Sequence, residues 1–246
     1  MRRLAGFLII AGLVLAGCQR SDRTTEGAAG ASVDGLQFDG VFYAQWTAVT
    51  SHPKGVRPLG ADDLGRVVGR VVANRANEPV ESGAPFRNLE ATFLPVGTPV
   101  HAVKGYPTSF RLAARDKGRL ALYEPWFSPR AQVGADLLGG IEGRVRRIGV
   151  YTSDERRRLL GSINDHQQVA QLVRLVLRAP FVEQDPRRGP QDDESYVVSF
   201  HLKDGTATSR SFNAKTGFLA GGVVVPGKFT AAVRQAIARH QGAAAP

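Results

Sequence analysis

Cysteine is nearly absent from this 246-residue chain: Cys18 is the only one. A lone cysteine makes no internal disulfide and excludes a Cys-rich zinc site. Acid is scarce beside base, with 22 Asp and Glu against 32 Lys and Arg and a net charge of +10. Long apolar runs are lacking too. The longest, Leu4 to Leu15, falls short of the roughly 20 residues that a membrane-spanning helix needs. The sequence holds no Gly-x-Ser-x-Gly elbow, no His-x-x-x-His or His-Glu-x-x-His pair and no EF-hand loop. It therefore points to no enzyme, no cofactor and no metal site.

What is present is informative first at the N-terminus. Arg2 and Arg3 precede the apolar run, and Leu15-Ala16-Gly17-Cys18 follows it. A charged start, a short apolar stretch and small residues are the pattern of a cleaved secretory leader. The four residues ending in Cys18 resemble the lipobox of bacterial lipoproteins. That resemblance implies a diacylglyceryl thioether on Cys18, cleavage just before it, and acyl chains such as palmitate holding the protein to a membrane. Two or more chains on one residue anchor stably, where one is reversible. The expected location is the extracytoplasmic face of the cell membrane, or the outer membrane where the cell has one. Loss of the leader removes Arg2 and Arg3 and no acid, leaving a net charge of +8. Outside the cytoplasm, anionic lipid or an anionic wall polymer is a nearer partner for that charge than nucleic acid.

Residues 1–17 thus read as a signal peptide and 18–35 as a small, polar tether. Residues 36–152 read as a β-rich domain, and 153–242 as an α+β domain. The first contains strand-forming segments at Leu36–Trp46, Leu64–Ala73, Pro99–Lys104, Ser109–Arg115, Arg119–Glu124 and Val145–Tyr151. They suggest a mostly antiparallel small sheet or partial barrel. In the second, Val169, Leu172, Val173, Val176 and Leu177 give a helical period, with Asp165 as its N-cap. Strands at Tyr196–Leu202, Thr206–Phe212 and Phe218–Val225 and a helix from about Phe229 to His240 complete a helix–three-strand meander–helix unit. The fold class is α+β.

The stretches Leu64–Val72, Ala91–Pro107 and Phe110–Ala113 are similar to parts of uncharacterised Gram-positive lipoproteins. The likeness implies a location and no chemistry. Other candidates are weak. Gly222 to Lys228 matches a phosphate-loop spacing, but Phe229 stands where Ser or Thr must hold magnesium. Gln191-Asp192-Asp193-Glu194 reads as a solvated loop. In Glu124-Pro125-Trp126-Phe127-Ser128-Pro129 two prolines bracket two aromatics, the pattern of a loop that offers Trp126 and Phe127 for binding. Arg111, Arg115, Arg119, Arg144, Arg146 and Arg147 are candidates for one basic face, with Arg144 and Arg146 on the same side of a strand. The reading is a lipid-anchored binding or interaction protein of the bacterial envelope. The alternatives are an envelope hydrolase whose site is scattered in sequence, or a structural component that binds anionic wall polymer.

Overall fold

The computed structural model describes residues 33–45, 55–76, 85–154, 156–182 and 194–243. Cys18, the leader, most of the tether, Trp46, His52 and the acids at 192 and 193 lie outside the described residues. The chain is α+β, with strands dominating. Eight strands make an N-terminal sheet: β1 (Gly35–Phe38), β2 (Val41–Gln45), β3 (Leu64–Arg70), β4 (Ala73–Asn74), β5 (Glu90–Ala91), β6 (Pro99–Val103), β7 (Leu112–Asp116) and β8 (Arg119–Phe127). A short helix, α1 (Ala135–Leu138), leads to β9 (Val145–Thr152) and β10 (Leu159–Ile163). Then follow α2 (His166–Arg178), β11 (Ser195–Leu202), β12 (Ala207–Asn213), β13 (Phe218–Leu219), β14 (Val223–Val224) and α3 (Gly227–Ala243).

The first sheet runs β3-β6-β7-β8-β2-β1-β5-β4. Its two end strands are consecutive in the chain, separated only by Val71 and Val72. The sheet therefore curls until its ends meet at one bent strand. Inside lie Leu36, Tyr43, Val71, Leu94, Val100, Leu112 and Tyr123, all buried. The stretch expected as one strand from Leu36 to Trp46 is a hairpin. Asp39 and Gly40 both take positive φ, 48° and 74°, as a two-residue turn between antiparallel strands requires. Lys117 and Gly118 make the same kind of turn between β7 and β8.

The second sheet runs β10-β9-β11-β12-β13-β14. β9 was expected among the N-terminal strands, yet it lies beside β11, with Ile148 opposite Phe200 and Val150 opposite Val198. Those four apolar side chains join the cluster under α2 and α3, which the N-terminal sheet cannot offer. The second sheet is thus larger than the expected three-strand meander. The segment read as a single strand, Phe218 to Val225, folds back as β13 and β14. In α2, Asp165 caps the helix by accepting from the Gln168 amide at 2.7 Å. The five apolar residues of the helical period are its buried face. Among the described residues, no helix is long and apolar enough to cross a membrane.

Candidate functional site

The two sheets meet along β8 and β12, and the meeting line is built from charge. Arg111, just before β7, has 0% exposure, Glu124 in β8 has 2% and Arg210 in β12 has 1%. Arg111 Nε donates to Glu124 Oε1 at 3.0 Å, Nη1 to Thr206 Oγ1 at 2.8 Å, and Nη2 to the Ala207 carbonyl at 2.9 Å. Arg210 Nη1 donates to Glu124 Oε2 at 3.2 Å, and Nη2 to the Pro125 carbonyl at 3.0 Å. The Thr208 hydroxyl also donates to Glu124 Oε2. Burial pushes the Arg210 guanidinium below its usual pKa, and the charge of Glu124 opposes that shift. The Glu124 carboxylate thus lies between two buried guanidiniums, one oxygen turned to each.

A second carboxylate lies further out: Asp204, in the turn between β11 and β12, feels the charge of Arg111. Tyr106 Oη donates to its Oδ2 at 2.7 Å, and the Thr206 amide and hydroxyl to its Oδ1 at 2.9 and 2.8 Å. Burial works against this carboxylate, but the donated hydrogen bonds prevail and hold its pKa below the ordinary value. The Tyr106 ring carries a guanidinium on each of two contacts, Arg111 at 4.6 Å and Arg144 at 4.9 Å from the centroid. Arg57 closes the cluster, donating to the Asp204 carbonyl at 3.1 Å and pairing with Asp63 at 2.7 Å. Arg144 is exposed, and its carbonyl accepts from the amide of exposed Lys203. A buried ionic seam therefore ends in a surface cluster in which a fixed aromatic ring supports an exposed cation.

The residues singled out in the sequence are distributed differently from the expectation. Trp126 and Phe127 are not in a loop: they end strand β8 and are half-buried, with the Phe127 ring 6.2 Å from that of Phe181. Pro125 did not break the strand because it sits at a register shift opposite Tyr43, where a missing amide is tolerated. Arg111 is no part of a surface face, since it is fully buried. Arg144 precedes β9, so strand alternation does not pair it with exposed Arg146. The Gly222–Lys228 stretch is a strand followed by a helix start. A side chain on Gly222 would meet the Phe181 ring at 2.4 Å, which is why glycine stands there.

A second polar group lies within the C-terminal sheet, on strand positions alternate to those under the helices. His201, at 0% exposure, shares a 2.9 Å hydrogen bond through Nε2 with the Tyr151 hydroxyl. Its Nδ1 has no partner. Burial, with Arg147 and Arg146 adding to it, lowers the imidazole pKa to about 4. Ser209 donates to Ser199 at 2.9 Å. The serines thus bond each other and the histidine bonds a tyrosine, so no nucleophile–base pair is formed here. Among the described residues no group of three His, Cys, Asp or Glu is placed to hold a metal ion.

None of this could be read from local pattern. Arg111 and Ala207 are 96 residues apart in the chain, and Arg210 and Glu124 are 86 apart. Compared with known proteins, the chain matches no family model, no curated protein and no solved structure.

Proposed function

We propose that the chain is a lipid-anchored binding protein of the bacterial cell envelope, held at the extracytoplasmic face through acyl chains on Cys18. The observation that carries this reading is Leu15-Ala16-Gly17-Cys18, placed after Arg2, Arg3 and a short apolar run. The surface cluster around Tyr106 supports the binding role. Arg144 stacks on a ring fixed by Asp204 and Arg111, beside exposed Lys203, and suits an anionic partner. That partner is an envelope protein or an anionic wall polymer. No catalytic step is assigned.

The test has two stages. Cells expressing the full chain are fed alkyne-tagged palmitate, beside cells expressing Cys18→Ala. Label on the first and none on the second is expected; equal absence of label overturns the anchoring. Cross-linking in the native envelope with mass spectrometry follows, comparing the wild-type chain with Arg144→Ala. One specific partner, captured by the first and weakened in the second, is the expected result. Capture of nothing by the anchored chain overturns the binding role.

A further inference from the structure

The corner where the chain enters the fold has an unusual surface. Seven large apolar side chains are exposed among the described residues, and four of them sit at this corner: Val33, Val72, Phe93 and Val96. Their exposures are 39%, 58%, 39% and 64%. Hydrogen bonds bring the segments that carry them together. Gly35, two residues after Val33, donates its amide to Thr92 Oγ1 at 3.2 Å and accepts from the Thr92 amide at 2.8 Å. The turn from Phe93 to Gly97 is then tied across the bend between β3 and β4. Asn74 Nδ2 donates to the Phe93 and Leu94 carbonyls, at 2.9 and 3.1 Å. The Gly97 amide donates to the Val71 carbonyl at 2.8 Å, and the Val71 amide to Thr98 at 3.0 Å. Leu94 is fully buried in the barrel-like core and pins the turn from below.

Arginine flanks these residues on the β3 side. Exposed Arg70 places Nη1 3.1 Å from the Gly97 carbonyl, at the edge of the turn, and exposed Arg66 lies on the same strand. Glu90, the acid on neighbouring β5, is buried and salt-bridged to Arg75 at 2.7 Å. Apolar side chains rimmed by arginine match an anionic bilayer surface, where the first enter the headgroup boundary and the second meet the lipid phosphates.

The geometry points to a membrane-docking surface formed by Val33, Val72, Phe93, Val96 and Arg70, with an anionic phospholipid bilayer as its occupant. This rests on the proposed anchor at Cys18. The chain from Cys18 to Val33 can span at most about 50 Å. The anchor therefore holds near the bilayer the same corner that carries the apolar side chains. Docking there fixes which face of the protein looks away from the membrane, and orients the Tyr106 cluster relative to it.

The experiment uses the full, acylated chain reconstituted into vesicles of phosphatidylethanolamine and phosphatidylglycerol. Cys18 is the only native cysteine and acylation consumes its thiol, so Val96→Cys gives a single site for an environment-sensitive fluorophore. Leu159→Cys, exposed on β10, is the reference. Expected are a blue shift and quenching by bromine-labelled lipids at position 96, neither at 159, and loss of both signals when Phe93→Asp is added. Equal signals at the two positions in an acylated chain overturn the docking surface and leave the anchor standing. A shift at 96 in native envelopes that is absent in pure lipid vesicles overturns it in favour of a protein partner. A chain found without acyl label overturns the anchor, and the docking surface falls with it.

Discussion

Arg111 Nη2 lies 2.9 Å from Glu124 Oε1, and neither side chain has more than 2% of its surface in solvent. The other oxygen of the same carboxylate takes Arg210 from the opposite sheet. Two guanidiniums have been taken out of water, and the Glu124 carboxylate is bonded to both. Removing one partner of a buried pair leaves an uncompensated charge, which costs about 3–5 kcal/mol. Glu124→Ala is expected to lose about that much in urea unfolding, since it removes a carboxylate that both guanidiniums share. A Glu124→Ala chain as stable as the wild type would show that the seam does not hold the sheets together.

The surface end of the seam is a separable interaction. Tyr106→Phe keeps the ring beneath Arg144 and removes the hydroxyl that donates to Asp204. A loss of about 1 kcal/mol is expected, the net worth of one hydrogen bond. The Asp204 pKa, followed by NMR, should rise toward its ordinary value, because a donor holding it down is gone. Arg144→Ala tests the other face and should cost about 0.5–1 kcal/mol as an exposed cation–π contact. Since the two variants remove different contacts of one ring, the double variant should lose nearly the sum. A strong coupling in the mutant cycle would mean that Arg144 depends on the hydroxyl rather than on the ring.

Gly140 offers a test of how closely the junction packs. A Cβ at this position would lie 2.1 Å from the Phe110 ring. That ring is buried, and the Arg111 guanidinium lies 5.1 Å from its centroid. Gly140→Ala must push Phe110, and with it the support of Arg111. Overpacking of this kind costs typically about 1–3 kcal/mol. Calorimetry should show a lowered melting temperature, whereas the same change at exposed Gly139, where nothing lies within 4 Å, should be nearly silent.

What could be read in the sequence divides along the range of the interactions. Helix α2 was legible because its period and the Asp165 cap are both local. The turn at Lys117-Gly118 falls in the gap left between the strands expected at Ser109–Arg115 and Arg119–Glu124. Asp39-Gly40 carries the same local signal, but the apolar residues on both sides of it suggested one continuous strand. The position of β9 was not legible, since Ile148 and Val150 are equally good strand residues for either sheet and only pairing with β11 decides. The seam was the least legible. Arg111, Glu124 and Arg210 are charged residues of the kind that cover a surface, and their burial depends on a meeting of segments about 90 residues apart. Pro125 misled in the same way, because a bulge opposite Tyr43 hosts it inside a strand.

Two buried titratable groups, one before β1 and one in β11, respond to acid in opposite senses. Burial lowers the His201 pKa from 6.5 to about 4. Between those values the unfolded chain binds a proton that the folded one refuses, so His201 removes stability as pH falls from about 6.5 to about 4. Asp34, at the start of the fold, is shifted the other way, to about 6, by burial, against the hydrogen bond from Tyr123. The folded chain then keeps a proton that the unfolded chain has released, so Asp34 removes stability as pH rises from about 4 to about 6. Shifts of this size are worth roughly 3 kcal/mol each, and over pH 4–6 they oppose one another. His201→Gln should therefore leave a chain that gains stability on acidification through this window, and Asp34→Asn one that loses it. The wild type should lie between them in urea unfolding followed across the same range. Parallel profiles for all three chains would mean that neither group is held in the charge state that its burial dictates.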